Sequence, residues 1–414
     1  MKVEKYTFGV GDRFAHQGKA QLRAILQARD AGIDVYPVWN KSNREHLLIG
    51  STPDDVRAEA DAAVAALGWH GTYFVDADHI ALNTVDPFVE ASDFYTIDVA
   101  DFTGKPANPD AIEAFVNEVR RYAGFLCIPG VDRPLELHKE DLLRAAAKFL
   151  LATQEASRVY RYIEKRKGHA NFVTEVSIDE TDTPQTPVEL FLVLAMLARE
   201  GIPLQTIAPK FSGRFNKGVD YAGDLAQFEK EFAEDLCIIE FAVAEFQLPK
   251  TLKLSVHSGS DKFSLYPIIN RLIKKQGAGL HIKTAGTTWL EEIVGLAESG
   301  GEGLAIAKEI YARSYERLAE LSVPYHTVTQ IDQRKLPKPT AVSEWSATQY
   351  VNALKHVQSC SLYNPHFRQL LHIGFRFAAE TGKRFTDALR ANEPIVGRNV
   401  TENLFRRHLL PIFA

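Results

Sequence analysis

At 414 residues, with 45% hydrophobic and 24% charged content, the chain can form one large α/β domain with insertions or two domains. A formal net charge of −5 leaves no basic footprint for nucleic acid. No apolar run reaches about 18 residues, the length that spans a bilayer, and the opening MKVEKYTFGVGDRF has no signal-peptide core, so no membrane segment and a cytoplasmic location are expected. The three cysteines (Cys127, Cys237 and Cys360) are far apart and odd in number, which points to buried free thiols in a reducing compartment.

In chain order, residues 6–10 read as a first strand, followed by Asp12, Arg13 and His16 and a helix over about 18–31. A second strand at 34–39 ends in Asn40, Lys41 and Ser42. Residues 53–67 carry Pro at the start, acids in the first turn and Gly68 as a stop, the marks of a helix. Strands at 71–80 and 93–102 end near Asp76, Asp78, His79 and Asp98. The rhythm then breaks: 103–168 reads as a helical insertion packed on the main domain, with a long helix from about Lys139 to Lys167. Four more strands are expected at 172–179, 204–208, 252–257 and 279–284, separated by helices near 187–200, 223–246 and 263–276. Residues beyond 288 carry helical periodicity, interrupted by a Pro-punctuated extended stretch at 323–339 that crosses the surface or the mouth of the domain.

Eight strands, mostly each followed by a helix, point to a (β/α)8 TIM-like barrel over 1–288 with a helical C-terminal extension over 289–414. Parity supports this. Glu175, Ser177 and Asp179 alternate with Val176 and Ile178; Lys253, Ser255 and His257 with Leu252, Leu254 and Val256; His281 and Lys283 with Leu280 and Ile282. One polar face per strand suits a barrel interior, whereas an open doubly wound sheet needs nearly continuous apolar strands. Neither GxGxxG nor a Walker A pattern is present to support a nucleotide site.

Polar strand ends at a barrel mouth are where catalytic groups gather. Two imidazoles and a carboxylate from different strands can hold a divalent metal and leave positions open for substrate oxygens. His257, His281 and Glu180 are the expected ligands, with His326 and His79 in reserve and Asp179 as general base; Asp179 and Glu180 can exchange these roles. Lys283, inward at the end of the eighth strand, suits anion or enolate stabilisation, with a Schiff-base role as its rival. The loops at 210–224 and 258–263 read as polar-substrate loops, and Asp261 also suits capping of the next helix. Most other cations, Lys217 among them, read as solvated surface charges.

The segments IDETDTPQTP, APKFSGRFNKGVDYAGD, SVHSGSDKFSLYP and HIKTAGTTWLEE, with the opening YTFGVGDRF, resemble the tagaturonate epimerase family of bacterial hexuronate catabolism over nearly the whole chain. The resemblance implies interconversion of D-tagaturonate and D-fructuronate, keto-hexuronates, on a barrel with a divalent cation such as Zn, Mn, Co or Ni. For such a substrate the inverted carbinol lies β to both the ketone and the carboxylate. Its C–H is not activated for enolisation, which leaves retro-aldol cleavage and re-addition or transient oxidation by a nicotinamide; the sequence shows no nicotinamide-binding fingerprint, and retro-aldol is favoured. On that route Asp179 is the expected base, Lys283 and Asp261 are candidate proton donors, and Arg13 or Lys210 holds the carboxylate. A metal-dependent aldolase or sugar isomerase shares these needs; a non-catalytic sugar-acid binding protein would need the cations but no metal.

Overall fold

The computed structural model describes residues 1–284 and 286–414. Eight parallel strands close a barrel: β1 (Tyr6–Gly11), β2 (Tyr36–Ser42), β3 (Phe74–Ile80), β4 (Phe94–Asp98), β7 (Val173–Ser177), β8 (Thr206–Ala208), β9 (Lys253–His257) and β10 (Leu280–Lys283). Around the barrel they run β1-β10-β9-β8-β7-β4-β3-β2. The remaining two, β5 (Gly124–Leu126) and β6 (Leu135–Leu137), form a separate antiparallel hairpin.

Outward residues such as Val176, Leu254, Val256, Leu280 and Ile282 are fully buried beneath the surrounding helices. Each such side chain contributes roughly 1.5–3 kcal/mol on burial. Inside, Val38, Phe74, Phe94 and Val173 pack with Val3 into an apolar floor on one side of the barrel. On the other side of that end the inward residues are polar: Lys253 Nζ donates to Lys5 O at 3.3 Å and Thr7 Oγ1 at 2.9 Å, and Gln205 Oε1 accepts from Val3 N at 2.9 Å. Local signals set the helices as expected. Pro53–Leu67 starts on Pro, has Asp54 and Asp55 in its first turn and ends on Gly68 at φ 62°. Pro187–Arg199 is opened by a Thr186/Glu189 capping box.

Between β4 and β7 lie the helix Pro109–Val119, the hairpin, and the long helix Lys139–Lys167, which packs on Pro187–Arg199 and so serves as the crossover itself. The helix after β10, Gly286–Ser299, starts as soon as the strand ends and is buried along most of its length. Its Trp289, Leu290 and Ile293 begin a second core shared with Tyr311, Tyr350, Phe367, Leu371 and Phe385 of the extension. The last residues return to the barrel: Val400, Leu404, Leu409, Ile412 and Phe413 join its core, with the Phe413 ring 5.1 Å from Tyr6. The segment expected to cross the mouth lies against the loop after β8, where Val328 O accepts from Lys217 N at 2.7 Å and Gln330 from Asn216 Nδ2 at 3.2 Å.

All three cysteines are free, but only Cys237 is buried; Cys127 is exposed beside the hairpin. Among the described residues no helix is long and apolar enough to cross a membrane.

Candidate active site

The barrel's middle layer is built on Lys283. Its ammonium lies 2.7 Å from Asp76 Oδ2, 2.8 Å from Asp78 Oδ1 and 3.3 Å from Glu175 Oε1. Thr96 Oγ1 donates within the same layer to Asp76 and Glu175. Gly9 makes the room, since a Cβ there would meet Lys283 Cγ at 3.0 Å and Asn40 Nδ2 at 2.8 Å. Burial opposes the charge on Lys283, but Asp76, Asp78 and Glu175 hold it well above the ordinary lysine value. Burial pushes the Asp76 carboxyl up to about 7, against the pull of Lys283.

Above this layer, His79, Asp179 and His257 bring one donor atom each to within 4.8 Å of one another. β3 carries His79 through a register shift against β4, at φ 51°, a left-handed conformation uncommon for a residue with a Cβ. That kink turns the ring toward His257, with centroids 5.0 Å apart and planes at 74°. Asp179 follows β7, and Ser177 Oγ donates to its Oδ1.

Each imidazole is held by a carboxylate on one nitrogen. His79 Nδ1 is 3.0 Å from Asp98 Oδ2, and His257 Nε2 is 2.8 Å from Glu175 Oε1. Their other nitrogens are turned inward. His257 Nδ1 is buried and lies 3.2 Å from Asp179 Oδ2 without the alignment of a hydrogen bond. His79 Nε2 is 4.0 Å from Asp78 Oδ1. Burial alone would lower both rings, yet Asp179 and Glu175 raise His257 to about 9, and Asp78 and Asp98 raise His79 to about 10. Five carboxylates (Asp76, Asp78, Asp98, Glu175 and Asp179) thus surround one bonded ammonium and two imidazoles, and the site draws positive charge.

The profile of the tagaturonate epimerase family (UxaE) matches residues 1–392. The chain belongs to the tagaturonate epimerase family. It is therefore an epimerase, an isomerase of carbohydrates. A Thermotoga maritima relative named tagaturonate/fructuronate epimerase is 28% identical over 418 residues, spanning 97% of this chain and 80% of its own. In the solved structures, a glycerol complex of fructuronate-tagaturonate epimerase UxaE from Cohnella laeviribosi superposes with a TM-score of 0.81 at 24% identity, covering 100% of this chain and 82% of that one. A probable tagatose 6 phosphate kinase from Sinorhizobium meliloti reaches 0.50 at 10% identity, over 99% of this chain and 100% of its own. Both structural likenesses speak to the fold.

In this member of the epimerase family, the residues singled out from sequence fall into separate groups. Asp179 and His257 meet, with Lys283 in the layer beneath. His281 pairs with Ser255, one layer below the His257–Lys283 pair. There its Nδ1 is 2.8 Å from Thr7 Oγ1 and its ring packs 5.1 Å from Phe94, so the parity that set it inward left it too deep to join the trio. Burial lowers its pKa to about 3, which keeps it a neutral core imidazole. Glu180 sits exposed at the rim, and His326 hydrogen-bonds Val323 O on the surface.

Asp261 is fully buried under the extension. Its oxygens face Arg368 Nη2 at 2.7 Å, His356 Nδ1 at 3.0 Å, Thr287 Oγ1 at 3.1 Å and His408 Nε2 at 3.3 Å. Burial works against its charge, but Arg368 and the imidazoles hold the carboxyl well below its usual range, so it carries no proton to donate near neutrality. Lys210 ties two loops together, Nζ donating to Thr181 O and its backbone N to Gln185 at 2.7 Å. Arg13 pairs with Glu45 at 2.9 Å and stacks 4.3 Å from the Phe375 ring. The orienting carboxylates Glu175 and Asp98 were not expected as site residues. Glu175 shares the inward parity of Asp179, and Asp98 ends its strand, so the signal for both was present.

Proposed function

We propose that the chain interconverts D-tagaturonate and D-fructuronate, with a divalent metal held by His79, Asp179 and His257. The substrate pair comes from the family and from the named relatives. The metal reading rests on one observation above all: each imidazole has one nitrogen fixed by a carboxylate, and His79, His257 and Asp179 bring one donor atom each to within 4.8 Å of one another. That is how proteins orient histidine ligands, with the second nitrogen donating to an acid. The buried Nδ1 of His257 faces Asp179 Oδ2 at 3.2 Å, so an imidazole nitrogen and a carboxylate oxygen, the donor types a divalent cation takes, already converge there. When bound, such a cation supplies Lewis acidity toward the ketone and its neighbouring hydroxyl.

The residues divide the remaining work. The carbon to be inverted is β to the ketone, so the C3–C4 bond can break as the C4 hydroxyl loses its proton. This yields a three-carbon enediolate and a three-carbon aldehyde acid. Rotation of the aldehyde and re-formation of the same bond on its other face gives the epimer. With Asp179 committed to the trio, Glu180 takes the hydroxyl proton; it is adjacent, exposed at the rim, and makes no hydrogen bond or ion pair among the described residues. Lys283, held in its charged form by Asp76, Asp78 and Glu175, places a fixed positive charge in the layer beneath the trio. Asp76 and Asp78 fix its position.

The test is turnover of D-tagaturonate labelled with deuterium at C4, followed by NMR before and after chelation. Retained label in D-fructuronate, and loss of turnover that returns with added metal, are expected. Label washed out into solvent, or full turnover in stripped protein, contradicts the proposal.

A further inference from the structure

Three cationic or donor side chains at the same end of the barrel lack the partners that their neighbours have. Arg13 follows β1; its Nε is paired with Glu45, but its Nη1 is buried with no hydrogen-bond partner among the described residues. Lys217 lies in the loop after β8, and among the described residues its one hydrogen bond is from its backbone N. His372, in the helix Pro365–Ile373 of the extension, is 2% exposed, and its Nε2 has no hydrogen-bond partner among the described residues. The nearby buried cations differ. Lys262 Nζ donates to Asn216 O at 3.1 Å and Val219 O at 2.9 Å, and Arg368 reaches Asp261 and Leu354 O. Those are structural pins; the other three have donor capacity left over.

The three feel one another. Burial depresses Lys217, Glu180 opposes this, and Arg44 and Arg13 add to it. Burial depresses His372 further, followed by Arg13 and Lys217. Glycines keep the space around them open. A Cβ on Gly259, itself at φ 67°, would sit 3.3 Å from Lys217 Nζ, and one on Gly286 would sit 2.1 Å from His372 Nε2. Gly259 follows β9 two residues after His257, and Gly286 opens the helix after β10, so both glycines lie at the barrel end that carries His257. The loop that carries Lys217 is fixed to the extension through Val328 O and through Arg368, whose Nε donates to Gly218 O. Arg13 and the partly buried Lys217 carry like charge and His372 is a neutral imidazole, so an anion set among them is stabilised, and a carboxylate takes two or three such bonds.

We propose that Arg13 Nη1, Lys217 Nζ and His372 Nε2 bind the carboxylate of the sugar acid, so that the C-terminal extension helps to select keto-acids over neutral ketoses. This rests on the keto-hexuronate reading above and adds a residue of the extension to the substrate pocket. A single charged hydrogen bond of this kind is worth roughly tenfold to a hundredfold in affinity.

Binding of D-tagaturonate and of D-tagatose, which carries an alcohol in place of the carboxylate, is measured by calorimetry on metal-loaded protein, beside steady-state kinetics. Lys217→Met should weaken D-tagaturonate about tenfold or more, with the loss in KM rather than kcat. It should leave D-tagatose binding alone, and Lys217→Arg should restore most of the loss. His372→Phe, which keeps the ring's bulk, should repeat the pattern and secures the result if one variant folds poorly. Equal affinity of wild type for acid and ketose, or an equal loss for both ligands in the variants, overturns the cradle. Wild type that turns over D-tagaturonate while Lys217→Met and His372→Phe bind it normally removes the cradle and keeps the epimerase reading. Selective loss of acid binding in protein that never turns over does the reverse.

Discussion

His79 holds a left-handed backbone at a strand irregularity, and such strain persists where the surroundings impose it. Its imidazole is then aimed by Asp98, as that of His257 is by Glu175. His79→Ala should therefore cost metal affinity as severely as His257→Ala. Asp98→Asn should cost less, on the order of 10–100-fold, because it disturbs only orientation; titration of apo-protein with Mn²⁺ measures all three. Lys283→Met makes a different prediction. It leaves Asp76, Asp78 and Glu175 facing one another without their ammonium, and should destabilise the fold by about 3–5 kcal/mol in urea denaturation. At this scale, parity in the sequence told which side chains point inward but not how deep they sit. His257 and His281 share a face, yet the register sets His281 a layer lower against Thr7. The irregularity that recruits His79 depends on how β3 meets β4 and leaves no mark in composition, so His79 reads from sequence only as a reserve ligand.

The elements themselves were legible, because each is specified locally: alternation for β7, β9 and β10, a capping box before Pro187, Pro and acids before Gly68. Strand ends were less so, since β4 and β8 stop where pairing stops rather than where apolar residues do. One helix carries a titratable liability. Asp235, in the helix Leu225–Glu245, is buried without a hydrogen bond or ion pair among the described residues. Burial, then Glu231 and Glu234, raise its carboxyl well above the usual value. The folded state binds this proton more tightly than the unfolded one. Its contribution is complete below the unfolded value of about 4 and is lost as pH rises through the folded one. Asp235→Asn should therefore stabilise the protein at pH 8 and leave it nearly unchanged at pH 4, as urea unfolding at the two values will show.

Across the whole molecule, the barrel and its extension are joined by a buried ionic knot rather than by a linker. Asp261, four residues past the end of β9 at His257, meets Arg368 and His356 from the extension and His408 from the returning C-terminus. Arg368→Met should strip this carboxylate of its strongest partner, cost about 3–5 kcal/mol, and lower amide protection in the barrel loop and the extension together in hydrogen exchange. From sequence, Asp261 is a polar residue in a glycine-rich loop and suits catalysis. Its actual partners lie 95, 107 and 147 positions away, and no local pattern brings such residues together. The family, in contrast, was legible from its long motifs, and the matching profile spans most of the chain.

The metal centre is the claim on which the mechanism depends, and crystals soaked in Mn²⁺ and measured for anomalous scattering test it most directly. One strong peak is predicted, bonded to His79 Nε2, His257 Nδ1 and an Asp179 oxygen, with Glu180 and His281 outside its coordination sphere. A peak ligated instead by His281 or Glu180, or no peak in protein that turns over, would contradict it.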